Sequence, residues 1–300
     1  MHVCIVSRWN ASCGVSLHAE LVGRELARRG FRVTVFAPTV ESACRDWHHR
    51  ILENRDEDWV YRCYEESDNC CGWLDEELIL STSCDILLVE AYNRLPYKGL
   101  REVIWRLKRR GVKTVAVVHG STRWEIESVI SLGFDAIVVF DYRFISELLS
   151  PYLYMVGNRV HVIPYPCVEP LDVKPWRPSF AEDKILFFTF GRQPVGEYRD
   201  FLIALKRLSR RYDLVYWIVR CDELIPGLSG PWIVQWCKRL SLEELYSYLR
   251  GSDIHLLPKG RTWRVVVSST VYQTLGALTP IVTPDTRYVE TLPSSIDGVG

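Results

Sequence analysis

No apolar run in this 300-residue sequence approaches the ~20 residues needed to cross a bilayer as a helix. A transmembrane helix is therefore not expected. An excess of either charge is also missing: Lys plus Arg and Asp plus Glu both total 37. That balance argues against a nucleic-acid partner and leaves electrostatic recognition to local clusters. The dinucleotide fingerprint G-x-G-x-x-G is absent. The chain opens on MHVCIVS, a buried-strand pattern lacking a charged n-region and a cleavage site, so no signal peptide is expected. A cytoplasmic protein follows, with peripheral contact at the inner membrane face compatible. Methionine is scarce, at two residues, and arginine is plentiful, which points faintly to a thermophile.

What is present suits a two-domain globular chain of roughly 150 residues per domain. Ten cysteines are more than a cytoplasmic protein needs. Cys4, Cys84 and Cys221 lie in or beside apolar runs, where a thiol behaves as a small hydrophobe. Cys63, Cys70 and Cys71 cluster without a zinc-ligand spacing, leaving a disulfide or free thiols open. Between Glu53 and Glu77, ten acidic residues stand against Arg55 and Arg62, which reads as a solvated excursion or an acceptor-binding segment.

Short apolar runs alternate with amphipathic segments along the whole length. Those at 3–7, 32–38, 85–91, 114–119 and 136–141 are β-branched and bounded by turn residues, as strands buried on both faces should be. Val15, Ala19, Val22 and Leu26 then mark a helix that stops at Arg28, Arg29 and Gly30. A proline-rich linker is placed at about 164–182, after which a second series begins at 184–191, 214–219, 231–237, 253–258 and 280–284. Ser241 and Glu244 form a capping box ahead of Leu242, Leu245, Tyr246 and Leu249. The expected fold class is α/β, with two doubly wound parallel-sheet domains, 1–168 and 169–300, facing a cleft. Ligands in such folds bind at the carboxyl ends of strands.

Four features stand at such ends. Gly14 precedes the first helix, as either a tight turn or an anion-binding loop. His119 closes TVAVVH, where an imidazole can donate to a hydroxyl or phosphate oxygen or simply serve the core. Arg192 follows KILFFTFG, either as a bidentate diphosphate ligand or as a surface arginine. Ser268, Ser269 and Thr270 precede an apolar helical pattern, as helix caps or phosphate ligands.

The order of these segments resembles the retaining glycosyltransferases of the GT-B fold, family four. The matching stretches are CGVSLHAELVGRELARRGFRVTVFAP, VHVIPYP, FGRQPVGEYRDFLIAL, LEELYSYLRGSDIHLLP and SSTVYQTLGALTPIV. The resemblance implies two Rossmann-like domains, acceptor side first and donor side second. It also implies transfer from a nucleotide sugar to a glycan or lipid-linked acceptor, with no metal. Arg192 would hold the diphosphate, supported near Ser269 and Thr270, and His119 would lie near the donor sugar. Fixed cations and a helix dipole would stabilise the leaving diphosphate.

Departures accompany the resemblance. The family's E-x7-E pair falls on Val265 and Gln273, of which only Gln273 can hydrogen-bond a ribose hydroxyl. Its diphosphate lysine falls on Glu197, and a glycine falls on Arg220. Arg199, Lys259, Arg261 and Arg264 are candidate compensating cations, and Glu290 lies where a family loop approaches the donor. The family would continue past PSSIDGVG, so a truncated or shortened chain is expected. Two other readings stay open: a catalytically degenerate relative binding a sugar, nucleotide or partner transferase, and a solute-binding protein.

Overall fold

A computed structural model describes residues 1–43, 56–167 and 172–292. The chain divides into two compact units: Met1–Pro166 with Arg264–Ser269, and Cys167–Trp263 with Thr270 onward. The segment Arg264–Ser269, which the sequence reading kept within 169–300, therefore groups with the first unit. It is tied there by Arg143, whose Nη2 donates to the Val266 carbonyl at 3.1 Å.

The first unit holds strands His2–Val6 (β1), Arg32–Pro38 (β2), Val60–Tyr64 (β3), Ile86–Ala91 (β4), Lys113–Val118 (β5), Ala136–Val139 (β6) and Val160–Val162 (β7). Its helices are Gly14–Arg28 (α1), Val40–Ala43 (α2), Glu76–Ser81 (α3), Tyr97–Arg109 (α4), Arg123–Ser131 (α5) and Leu153–Val156 (α6). The sheet runs β3-β2-β1-β4-β5-β6-β7, and every pairing is parallel.

The second unit holds Ile185–Phe190 (β8), Leu214–Arg220 (β9), Ile233–Cys237 (β10), Ile254–Leu256 (β11) and Ile281–Val282 (β12) in the order β10-β9-β8-β11-β12. Its helices are Arg199–Leu208 (α7) and Leu242–Gly251 (α8), with Ser269–Leu275 (α9) formed almost wholly of its residues. Both sheets reverse direction beside their first strand, between β1 and β4 and between β8 and β11. This is the switch point at which doubly wound folds place ligands. The two-sheet α/β architecture read from the sequence is thus present.

Strand composition explains the sheets. β1 and β9 are buried along their whole lengths, as central parallel strands covered on both faces must be. Trp217 on β9 anchors the second core, with ring centroids of Trp236 and Tyr248 at 4.7 Å and Phe188 at 4.8 Å. Gly30 and Gly111 end α1 and α4 with φ of 83° and 86°, a left-handed geometry that glycine adopts without a Cβ penalty. The capping box on α8 is formed: Glu244 N donates to Ser241 Oγ at 3.1 Å and Ser241 N to Glu244 Oε2 at 3.0 Å.

One sequence expectation changes and one open alternative closes. The acidic stretch is not simply solvated, because several of its members fold back onto the sheet. Glu66 is buried against Arg8, Asp56 pairs with Arg62 at 2.8 Å, and Glu57 accepts from Trp9 Nε1 at 2.8 Å. Positions 53–55 of that stretch lie outside the described residues. Cys63, Cys70 and Cys71 are free thiols. Among the described residues no helix is long and apolar enough to cross a membrane.

Candidate functional site

At the carboxyl end of the first sheet lies a cavity of about 260 Å³ lined by Arg8, Cys13, Gly14, His119, Tyr165 and Ser269, with apolar walls. The topology accounts for each member. Arg8 follows β1, and Gly14 opens α1 after Cys13, which supplies no side-chain cap to the helix amides. Tyr165 OH donates to the Gly14 carbonyl at 2.7 Å and holds that turn. A Cβ on Gly14 would stand 3.2 Å from Ser269 Oγ, so the missing side chain permits this close approach.

His119 follows β5, where its amide donates to the Ala91 carbonyl at 3.0 Å and continues the β4–β5 pairing. Its Nε2 lies 2.6 Å from Glu90 Oε2. The other carboxylate oxygen, Oε1, lies 2.8 Å from His18 Nδ1. Glu90 is wholly buried, and both imidazoles are nearly so. Burial alone would raise the Glu90 carboxyl, but the contacts with His18 and His119 overcome it and hold it at about 2. Burial pulls the His119 imidazolium below its ordinary range against the opposing pull of Glu90. Phe140 packs both rings, at 5.3 Å from His18 and 5.0 Å from His119.

A second buried carboxylate stands near by. Glu66 meets Arg8 in a two-pronged pair, one contact through Nε and the other from Nη2 to Oε2 at 3.1 Å. It also accepts from Tyr92 OH at 2.7 Å. The opposite helix start, before α5, is closed to anions: Glu125 accepts the amides of Ser121 and Thr122 at 3.0 and 2.8 Å. Gly120 is required there, since a Cβ would run into the Glu125 carboxyl.

In the second unit, Gly191 follows β8 with φ of 104° and leads into a half-buried Arg192. Arg220, at the family's glycine position, ends β9 and joins two loops. It pairs with Asp222 at 2.7 Å and donates to the Gln193 carbonyl at 2.8 Å. Its role in this structure is to bind loop to loop. Glu197 lies against the next loop, where a Cβ on Gly260 would stand 2.6 Å from its Oε1. The neighbouring Lys259 feels that charge: burial lowers its ammonium and Glu197 opposes the shift. Lys259 Nζ itself lies 5.2 Å from the centroid of the Tyr288 ring.

The remaining candidates fall as follows. Gly14, His119 and Ser269 share the first cavity, and Ser268 is buried beside them in sequence. Thr270 accepts at its carbonyl from Thr274 Oγ1 at 3.0 Å. Val265 is buried and offers no polar atom from its side chain. Gln273 is partly buried and accepts from Tyr246 OH through its backbone at 2.6 Å. Glu290 is exposed and pairs with Arg287 at 3.0 Å. Arg199, Arg261 and Arg264 are exposed. Sequence reasoning missed Glu90, His18 and Arg8. The available signal was the placement of charge within or just after otherwise apolar strands, DILLVEA and VCIVSR.

No family model matches the chain. Among solved structures, the pneumococcal O-GlcNAc transferase GtfA, in complex with UDP and GlcNAc, aligns with a TM-score of 0.65 at 11% identity, over 100% of this chain and 89% of that one. A glycosyltransferase from Rickettsia africae aligns with 0.64 at 14% identity, over 97% and 81%. An alpha-glucosyltransferase in complex with UDP and a 13-mer DNA containing an HMU base aligns with 0.60 at 16% identity, over 85% and 72%. The fold is therefore of the GT-B class to which these transferases belong. The last complex contains DNA, the partner class that the charge balance of this chain argued against.

Proposed function

We propose that this protein is a retaining glycosyltransferase of family-four type, moving a sugar from a nucleotide-sugar donor to a glycan or lipid-linked acceptor without a metal. The observation that carries the reading is the first-unit cavity. It gathers an uncapped helix start at Gly14, the strand-end His119 and the Ser269 hydroxyl at the switch point of a Rossmann-ordered sheet. In this reading His119 acts at the sugar and Arg192 binds the diphosphate, with Ser268, Ser269 and Thr270 adding hydroxyls and amides. Gln273 bonds the ribose, and Glu290 contributes from the loop after β12. Lys259 takes the place of the cation lost at Glu197. Function in the cytoplasm, with contact at the inner membrane face, fits a lipid-linked acceptor.

A second reading is a degenerate relative that binds a sugar, a nucleotide or a partner transferase. Val265 and the carboxylate at Glu197 favour it, because the first offers the donor no polar side-chain atom and the second opposes a phosphate. Calorimetric titration with a panel of nucleoside diphosphates and nucleotide sugars separates the two. Micromolar binding that weakens at least tenfold in Arg192→Ala is the expected result. No binding across the panel by the folded protein would sink the transferase reading.

A further inference from the structure

The cavity shows one face of His119; the other faces a residue with no part in the reading above. Glu90 is a glutamate inside a parallel strand, wholly buried, and both of its oxygens are taken by imidazoles. A carboxylate in that state is acceptor-only, so each ring nitrogen that touches it must carry a proton. For His119 that nitrogen is Nε2. A neutral imidazole has one N–H, and its other nitrogen is then a lone-pair acceptor. The Nδ1 atom of His119 has no hydrogen-bond partner among the described residues, and the ring lines the cavity.

We propose that Glu90 and His18 are positioning residues that fix His119 as its Nε2–H tautomer, so that Nδ1 offers a lone pair to a substrate hydroxyl in the cavity. This rests on the glycosyltransferase reading for the identity of that hydroxyl, a sugar hydroxyl. The tautomer itself needs no substrate: the contact with Glu90 puts a proton on Nε2, and burial favours the neutral ring. It also reverses the direction of the hydrogen bond expected from the sequence, in which His119 donates. His18 contributes by occupying Oε1, which leaves Oε2 as the oxygen available to His119 and confines the carboxylate to one orientation. Phe140, in edge contact with both rings, restricts their rotation. Arg8 is the charged group on this cavity wall, and its charge is matched by Glu66.

The donor set is also one that can hold a divalent transition metal, two imidazole nitrogens and a carboxylate. The separations of 2.6 and 2.8 Å are those of direct hydrogen bonds, with protons where a metal would sit. This distinction belongs in the test.

The test is long-range proton–nitrogen NMR on the full chain labelled with ¹⁵N-histidine, at pH 7.5, with His119 assigned by its loss in His119→Gln. The expected spectrum has a protonated Nε2 and a bare Nδ1 on His119. A protonated Nδ1, or fast averaging between the two forms, overturns the proposal whether or not the protein is an enzyme. Glu90→Gln is the second arm, because an amide offers one acceptor and one donor, and only one of the two imidazoles can keep its N–H toward it. One of His18 and His119 must then change tautomer; two unchanged rings in a folded variant overturn the coupling. Elemental analysis of the purified protein is the third arm: stoichiometric zinc that disappears in His18→Gln replaces the proton reading with a metal site. With transfer from the nucleotide sugar that binds tightest in the calorimetric panel as the readout, Glu90→Gln should lower kcat at least tenfold and leave KM within twofold. Unchanged kcat refutes the positioning role alone, whereas an inactive wild type with the stated tautomer refutes the transferase reading alone.

Discussion

Replacing Arg8 by Met tests how the first unit tolerates its buried charge. Arg8 is 3% exposed, and its guanidinium meets Glu66 on two edges while lying 4.3 Å from the centroid of the Tyr92 ring. Met fills most of the side-chain volume but leaves the Glu66 carboxylate in a fully buried site. The nearest other cation is Arg94, whose Nη1 is 4.0 Å from Oε2. Removing one partner of a buried ion pair costs about 3–5 kcal/mol, much of it the desolvation of the charge left behind. For a unit of this size each kcal/mol lowers the midpoint by about 2–4 °C, so the expected fall is roughly 6–20 °C. Glu66→Gln should cost a similar amount, since the buried Arg8 charge would then lack its carboxylate.

The double variant Arg8→Met/Glu66→Gln holds no uncompensated charge, and the amide oxygen can still accept from Tyr92 OH. Its loss should be smaller than the sum of the singles by at least about 2 kcal/mol, as expected for residues in direct contact. The assay is urea unfolding followed by hydrogen exchange of β1 and β3 peptides, which isolates the first unit. Simple additivity in that cycle would refute the argument.

Other perturbations read other parts of the chain. His255 is wholly buried on β11, its Nδ1 donates to the Phe188 carbonyl at 3.1 Å, and burial lowers it from 6.5 to about 4. The unfolded chain therefore binds the proton first as pH falls, and stability present at pH 7 should decline by about 3 kcal/mol between about 6.5 and 4. His255→Leu should flatten the urea-midpoint profile across that window; an unchanged slope would show that the folded imidazole titrates normally. Gly251→Ala should destabilise by about 2 kcal/mol or more in urea unfolding, because its Cβ would overlap the backbone carbonyl of Trp176, which cannot yield as a side-chain tip can. Gly196→Ala, with nothing within 4 Å and no positive φ, should change the same midpoint by less than about 0.5 kcal/mol.

Most strands were legible because the sheets are parallel and covered on both faces, which turns each central strand into an unbroken apolar word. β3 escaped for the opposite reason. VYRCY sits at the sheet edge with Tyr61 exposed and Arg62 tied to Asp56, so it shows no continuous run. His119 was legible as a strand-end residue, but its hydrogen-bond direction was not. That depends on Glu90, which is far away in sequence and reaches it only through the β4–β5 register, in which Glu90 opposes Val117. The surroundings of Glu197 were likewise invisible, since Lys259 and Gly260 lie beyond β11 and come near it only through loop packing. Arg8 read as the polar end of a strand because its partner, Glu66, belongs to a stretch whose composition suggested solvent.

The two buried carboxylates of the first unit differ in what their partners can do. Glu66 is matched by arginine, which does not release its proton in a folded protein. It can shape the cavity wall, but it cannot give or take a proton there. Glu90 is matched by two imidazoles, each of which can present either a proton or a lone pair at a ring nitrogen. Both of its oxygens are engaged by ring nitrogens rather than by a fixed cation. A fold that needed only a filled strand position at residue 90 would be better served by an apolar side chain, since replacing buried ionic groups with hydrophobic ones is often neutral or stabilising. The arrangement makes physical sense when one of the two rings has work outside the core, and His119, at the edge of the cavity, is the ring so placed.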